Sequence, residues 1–291
     1  MPSLIDIRRR IRSVKNTQQL TKALKMVSAA KLRRAQERVL GARPYARSLG
    51  EMLASVAQAA QSSDSAESNA LLARREEKTV QLVVLSSDRG QAGAFNANLL
   101  RMALGFVNDQ AGKAIQIEAI GRKGRDFFRR RHIAISGEHL GVSNKPEYST
   151  AKAIAETLIA RYTAGEVDSV YLAVNEFKSV IATDIRLRKL LPIEIPEGSA
   201  SSESAAKDYI FEEPPQEILN KLLPKYVEGA IWQAILESTA AEHAARMTAM
   251  DAASSNAGQV IDKLTLYMNR VRQASITREI IEIVSGASAL E

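Results

Sequence analysis

Residues 3–38 read SLIDIRRRIRSVKNTQQLTKALKMVSAAKLRRAQER, and this stretch sets the fold class. Ser3 and Asp6 have the spacing of a capping box, which marks the first turn of a helix. The apolar residues behind them form a seam with one change of register: Leu4, Ile7, Ile11, Val14, Leu20, Leu24 and Val27. Such a narrow seam is typical of a coiled coil. We therefore predict a long helix over residues 1–61 that packs on a partner helix.

The partner helix is predicted at the other end of the chain. Residues 225–290 contain no proline and, as a single helix, would extend roughly 95 Å. Their seam consists of small and apolar residues: Ala241, Ala245, Ala252, Val260, Leu264, Tyr267 and Val271. Because small residues let two helix axes approach closely, we predict a long antiparallel coiled coil of the two ends. Pro44 is expected to kink or briefly break the first helix, and Pro214, Pro215 and Pro224 to precede the last one.

Between these helices the apolar pattern changes to that of alternating strands and helices. Predicted strands cover residues 80–86, 115–120, 132–135 and 170–174, with one or two more in 180–195, and predicted helices cover 96–107, 123–130 and 149–162. This alternation favours a small Rossmann-like α/β domain with a largely parallel sheet. The predicted fold is thus mixed, with a linker at 62–78, the α/β domain at 79–196, a linker at 197–207 and the C-terminal helical segment at 208–291.

Charge is concentrated in the first 50 residues. They contain 13 Lys and Arg but only two acidic residues, so they carry more than the whole net charge of +7. This excess predicts an acidic partner, which could be nucleic acid, anionic lipid or an acidic protein face. Against nucleic acid, residues 1–44 contain no aromatic side chain that could stack on bases. We interpret the Arg-rich start as retained structure and not as a targeting peptide, and no apolar run approaches the ~18 residues of a membrane span.

Catalytic chemistry has little support in the sequence. The loop SSDRGQAG at residues 86–93 follows a predicted strand, but it lacks the glycine spacing of a dinucleotide site and the lysine of a P-loop. Asp88 is more readily explained as a turn or cap residue than as a catalytic carboxylate. The three histidines, His132, His139 and His243, do not have metal-ligand spacing, and the chain has no cysteine. We expect no catalytic, cofactor or metal site, although a nucleotide-binding α/β enzyme remains an alternative.

Several strings of sequence resemble the γ subunit of F-type ATP synthases, over essentially the whole chain. They are residues 5–38 quoted above, SDRG at 87–90, GRKG at 121–124, ARMTAM at 245–250, YMNRVRQASIT at 267–277 and EIVSGA at 282–287. The resemblance implies a non-catalytic rotor stalk and not an enzyme. Its coiled coil would insert into the hexamer of α and β subunits, and its foot would ride on the membrane c-ring and carry the ε subunit. Rotation would then couple proton translocation to ATP synthesis or hydrolysis.

The resemblance also implies contact residues. Arg246, Gln273 and Thr277 match positions that contact a catalytic-subunit loop, and Leu24 matches a position near acidic loops. To these head contacts we add Lys22, Lys25 and Arg272. The apolar end, with Ile280, Ile283, Val284 and Leu290, would sit in an apolar bearing, and Tyr209 and Phe211 match the foot that meets the rotor ring.

The departures from the family pattern are few. Gln91-Ala92-Gly93-Ala94 stands where Leu-Cys-Gly-Gly is usual, and no cysteine-bearing insert is present, so redox control is not expected. The implied location is the cytoplasmic face of a bacterial inner membrane, where the chain would be peripheral.

Overall fold

The computed structural model describes residues 3–61, 69–110, 112–180, 182–194 and 213–288. Its elements are α1 (Leu4–Gln61), β1 (Thr79–Leu85), α2 (Phe95–Asp109), β2 (Ala114–Ile120), α3 (Arg122–Arg129), β3 (Ile135–His139), α4 (Tyr148–Thr163), β4 (Ser169–Phe177), β5 (Thr183–Leu191) and α5 (Pro215–Ser288). They divide between two compact units. The helix-pair unit comprises Met1–Ala29 and Arg246–Glu291, and the sheet unit comprises Ala30–Ala245.

In the helix-pair unit, α1 begins as the sequence predicts. The backbone N–H of Ile5 donates to Ser3 Oγ at 3.1 Å, so Ser3 satisfies one of the amides that a helix start leaves without an intrahelical partner. The buried and half-buried face then keeps a regular spacing of three and four residues: Leu4, Ile7, Ile11, Val14, Gln18, Thr21, Lys25 and Ser28.

The predicted change of register in this seam is wrong. Leu20 and Val27 are 60% and 53% exposed, and Thr21 and Ser28 are buried in their place. These polar side chains are tolerated because each hydroxyl donates to a carbonyl of its own helix: Thr21 to Gln18 at 2.9 Å and Ser28 to Leu24 at 2.8 Å.

The partner face on α5 also differs in register from the prediction. Its buried and half-buried positions are Met250, Ser254, Ala257, Ile261, Leu264, Met268, Val271 and Ser275. Leu264 and Val271 were predicted, whereas Ala252, Val260 and Tyr267 are exposed. The antiparallel pairing itself is confirmed within this unit. Gln18 Nε2 donates to Ser254 O at 3.2 Å, and Lys25 pairs with Asp251. Residue numbers therefore rise along α1 while those of the contacted residues fall along α5.

In the sheet unit, five strands form one sheet in the order β3-β2-β1-β4-β5. The first four strands are parallel, and β5 runs antiparallel to β4. Strand β1, at the centre, is buried from Val80 to Leu85, as expected of a parallel strand covered on both faces. One face packs on α2 and α3 through Leu82, Leu99 and Phe128.

The other face of the sheet packs on α4 and on the segments of α1 and α5 that belong to this unit. Representative buried side chains are Leu53 of α1, Val83 of β1, Ile154 of α4 and Ile231 of α5. The central α/β fold therefore incorporates both terminal helices in its core.

Both long helices continue through proline, so the break considered at Pro44 is absent and the expected start of α5 beyond its prolines is wrong. α1 passes through Pro44, and α5 begins at Pro215 and passes through Pro224 instead of starting beyond it. An internal proline costs about 3 kcal/mol in a helix. On α5 this cost is opposed by full burial of the side chains on one face, which are Leu219, Leu223, Val227 and Ile231.

Strand β3 also lies further along the chain than predicted. It covers Ile135–His139, because the chain turns through His132 at a positive φ of 56° before the strand begins. Among the described residues, no helix is both long enough and apolar enough to cross a membrane.

Candidate interaction surfaces

All described head-contact candidates lie on α1 or α5 in the helix-pair unit. Lys22, Arg272, Gln273 and Thr277 are exposed, whereas Leu24, Lys25 and Arg246 are half-buried. Arg246 already has an interaction partner within the chain. The set therefore divides into exposed side chains and half-buried ones.

Lys25 belongs to the second group. Its Nζ lies 2.6 Å from Asp251 Oδ1, and the two side chains are 42% and 60% exposed. Within the described part of the chain, Lys22 forms no such ion pair. Of the two cations that the charge pattern singled out, Lys22 is thus the one with its charge uncompensated.

Gln273 and Thr277 form one patch on the surface of α5. They are one helical turn apart, and Thr277 Oγ1 donates to the Gln273 carbonyl at 2.9 Å. Arg246 lies on the same helix but roughly 40 Å away along its axis, at 1.5 Å per residue. Arg246 and the Gln273–Thr277 patch are therefore presented at two different levels of α5.

Beyond this patch, α5 presents an apolar end. Every residue from 276 to 286 is exposed, including Ile276, Ile280, Ile281, Ile283 and Val284. The register set by Gln18 and Lys25 brings Leu4, at the start of α1, level with about Val271. The end of α5 therefore continues past its partner helix. Leu290, Tyr209 and Phe211 lie outside the described residues.

The loop after β1 uses its polar groups within the fold. Asp88 accepts hydrogen bonds from the backbone N–H groups of Arg122 at 3.1 Å and Gly141 at 3.0 Å. Ser86 Oγ accepts from the Gly124 N–H at 2.8 Å. Ser86 and Asp88 of this loop thus cap the start of α3, whereas α2, the helix that the loop itself opens, has no side-chain cap at Ala94. Asp88 has the turn and cap role that the sequence favours.

Helix α5 further closes this edge of the sheet. In doubly wound sheets, ligands bind at the carboxyl ends of strands where the strand order reverses, here between β1 and β4. Ser238 of α5 donates to the carbonyl of Leu85, the last residue of β1, at 3.3 Å. The chain's own helix therefore lies where a nucleotide would approach.

Sequence reasoning missed a buried polar network on β2. Glu118 is buried, and its Oε1 lies 2.8 Å from His139 Nε2. Its Oε2 accepts from Gln81 Nε2 at 2.8 Å and from Ser136 Oγ at 3.1 Å. The available signal was a glutamate among apolar residues in the second half of the predicted strand 115–120. In the part of the chain that the structure describes, no cluster of His, Cys, Asp and Glu could hold a metal ion.

Comparison with known proteins shows which family the chain belongs to. The sequence matches the ATP synthase family over residues 3–290. It is 59% identical to the ATP synthase gamma chain of Solibacter usitatus and 50% identical to that of Pelotomaculum thermopropionicum, each match covering 100% of both chains.

Solved structures agree in fold. A chain of Euglena gracilis mitochondrial ATP synthase superposes with a TM-score of 0.69 at 17% identity, covering 99% of this chain and 94% of that chain. A chain from the central stalk and c-ring of Tetrahymena thermophila mitochondrial ATP synthase gives 0.61 at 24% identity, covering 81% and 99%. Because the sequence matches between this chain and the bacterial gamma chains cover the full length of both, the chain belongs to the ATP synthase gamma chain family.

Proposed function

We propose that this chain is the central rotor stalk of an F-type ATP synthase. The observation that carries the proposal is the full-length match, at 59% identity, to a bacterial ATP synthase gamma chain. The chain is a non-catalytic subunit and a peripheral part of a membrane-bound complex. It transmits torque between the proton-driven ring and the catalytic head, and the cytoplasmic face of the membrane is its proposed location.

The helix-pair unit is the proposed contact with the α and β subunits. Lys22 and Leu24 would meet acidic loops of the head at one level of α1. On α5, Arg246 would make one contact, and the patch of Arg272, Gln273 and Thr277 a separate one nearer the C-terminus. The exposure of Lys22 and of the α5 patch supports this assignment.

The apolar end of α5 is proposed to turn in an apolar bearing of the head. Ile280 and Ile283 are 55% and 72% exposed, and no other helix of the chain covers them within the described residues. Removing such side chains from water would stabilise the assembled state by about 25 cal/mol per Å² of apolar surface. Leu290 is proposed to extend the same apolar surface.

The opposite contact, with the c-ring, is proposed for the segment before α5. Tyr209 and Phe211 would meet the ring, and the α/β domain at 79–196 would bind the ε subunit. In this assignment residues 1–61 and 208–291 supply the shaft, and 62–78 and 197–207 are the linkers. An asymmetric shaft contacts each catalytic subunit differently, and this difference in contact free energy shifts each site between open and closed states.

Neither rival function has comparable support. A nucleotide-binding enzyme would need the carboxyl edge of the sheet, which Ser86, Asp88 and Ser238 fill. A nucleic-acid binder would explain the basic α1, but not the apolar end of α5.

The direct test is complementation of a bacterium that lacks its own gamma chain. We expect this chain to restore ATP-driven proton pumping in inverted membrane vesicles, measured by quenching of a pH-sensitive dye. A variant truncated before Ile276 retains the seam of the helix pair but lacks the apolar end of α5, so it serves as the comparison for that end. Failure of the intact chain to restore any pumping, when it is present in the membranes with the host's head subunits, would contradict the proposal.

A further inference from the structure

The sheet unit contains a basic cavity at a place the proposed stalk contacts do not involve. The cavity has a volume of about 160 Å³ and lies between α1, the loop from β3 to α4, and α5. Lys31, Arg34 and Arg38 line it from α1, Ser143 and Asn144 from the loop, and Thr239 from α5.

Small residues leave room on two walls of the cavity, which Pro146, Leu236 and His243 also line. Ala35 occupies the buried face of α1 between Leu32 and Val39, and Thr239 faces the cavity from α5. The loop that forms the third wall is fixed, since Val142 is buried and the Asn144 N–H donates to the Gly141 carbonyl at 3.1 Å. The walls are thus built by the fold.

The charge of the lining is one-sided. Lys31, Arg34 and Arg38 lie on one helical face, at spacings of three and four residues, and no carboxylate lines the cavity. In the described part of the chain these three cations form no ion pair, whereas nearby Arg33 pairs with Glu37 at 3.5 Å. Like charges at such spacing repel each other, and an anion between them would reverse that effect.

We infer that this cavity binds an oxyanion of the phosphate class. Guanidinium groups match phosphate oxygens with paired hydrogen bonds, and three cations suit a doubly charged ion better than a single carboxylate. Ser143 and Asn144 supply neutral polar groups around the remaining oxygens. The Thr239 hydroxyl donates instead to the Ile235 carbonyl at 2.7 Å. The volume holds several water molecules, which a phosphate group would displace. The ligand is free phosphate or the phosphate of a nucleotide.

The test measures binding of inorganic phosphate to the full-length chain at constant ionic strength. Isothermal titration calorimetry gives the affinity, and the ³¹P line width gives a second, direct readout. The variant R34Q/R38Q removes two lining charges. The variant R33Q/R47Q removes two exposed charges outside the cavity, so it has the same net charge, and circular dichroism confirms that both variants are folded.

We expect a dissociation constant of about millimolar for the unmodified chain and for R33Q/R47Q, and about tenfold weaker binding by R34Q/R38Q. If ATP binds more tightly than phosphate and R34Q/R38Q loses this binding, the ligand is the phosphate of a nucleotide. If ATP binds equally or more weakly, the ligand is free phosphate. Absence of phosphate binding, an equal loss in both variants, or acetate binding as tightly as phosphate would overturn the inference.

Discussion

Lys25 Nζ lies 2.6 Å from Asp251 Oδ1 and thereby joins α1 to α5 across the helix pair. This contact places a basic side chain of α1 in an internal role, although the charge pattern alone singled it out for the catalytic head. Both side chains are partly exposed, so the pair contributes at most about 1 kcal/mol to stability.

The pair makes a charge-swap experiment informative. K25D/D251K should restore helix pairing, because the two charges exchange places, and coupled ATP synthesis should stay within about twofold of the unmodified complex. K22E should lower synthesis more, since Lys22 has its charge uncompensated within the described chain. Vesicles energised by a proton gradient provide the measurement. A swap variant as defective as K22E would show that Lys25 contacts the head directly.

The separation of Arg246 from the Gln273 patch predicts how their effects combine. Q273A and T277A should be non-additive in a double-mutant cycle on ATPase rate, because the two exposed residues are one turn apart and would contact the same element of the head. R246A combined with Q273A should be additive within about 0.5 kcal/mol, because roughly 40 Å of helix separates them. Strong coupling between Arg246 and Gln273 would mean that one partner element contacts both.

The exposed end of α5 predicts a variant with opposite effects on fold and assembly. I280S/I283S should leave thermal unfolding of the isolated chain unchanged within about 0.5 kcal/mol, because neither side chain is packed. The same variant should weaken association with the catalytic head, measured by co-purification. E279Q is the matched exposed control and should assemble normally. A large loss of stability in the isolated chain would show that these isoleucines pack within it.

Glu77 predicts a pH dependence for the sheet unit. Burial disfavours the Glu77 carboxylate, but hydrogen bonds from Lys113, Lys189 and Tyr171 outweigh that effect and lower its pKa from 4.5 to about 2. A depressed folded-state pKa means that the stabilisation is complete above pH 4.5 and is lost as the pH falls towards 2. The shift sets an upper limit of about 3 kcal/mol, which solvent screening of the partly exposed carboxylate reduces.

Urea unfolding at pH 7 and pH 3 tests this dependence. E77Q should be less stable than the unmodified chain at pH 7, and the difference between them should shrink at pH 3. E76Q is the control, because the Glu76 side chain is 83% exposed and its contact with Lys78 is longer, at 3.5 Å. A difference that persists unchanged at pH 3 would show that the Glu77 charge is not responsible.

Substitutions at two glycines distinguish the cost of steric crowding from the cost of an unfavourable backbone conformation. Gly121 has a φ of 93°, and a Cβ there would lie 2.1 Å from the Ser86 carbonyl oxygen. Gly141 has a φ of 80° but open space around the same position. G141A should therefore cost about 1–2 kcal/mol, and G121A clearly more, in chemical denaturation of the full chain. Equal costs would contradict the close approach of Gly121 to the Ser86 backbone.

The sequence revealed the coiled coil, but not the register of its seam. Periodicity of apolar residues favoured Leu20 and Val27, whereas the structure buries Thr21 and Ser28, whose hydroxyls are satisfied by their own helix. Hydrophobicity alone ranks Leu20 and Val27 above Thr21 and Ser28 for the seam. The smaller side chains of Thr21 and Ser28 let the two helices approach more closely, and this effect is not part of a hydrophobicity pattern.

Proline was a similarly incomplete guide. The local cost of Pro224 predicted a later start of α5, but the buried face around it stabilises the continuous helix. The Glu118 network, too, depends on β1, β2 and β3 lying side by side, and no local sequence pattern specifies that arrangement. Leu24, Arg246, Gln273 and Thr277 were accessible from the sequence only because their strings match the family, whereas the charge pattern singled out Lys22 and Lys25. Which of them are exposed and which are half-buried required the structure.

Native mass spectrometry of a tagged copy, released gently from its host's membranes, tests the central claim most directly. The account predicts a single copy of this chain bound to a hexamer of two larger, nucleotide-containing subunits, with the small ε subunit retained. A chain that is recovered alone, or bound to nucleic acid in place of the hexamer, would contradict its assignment as the rotor stalk.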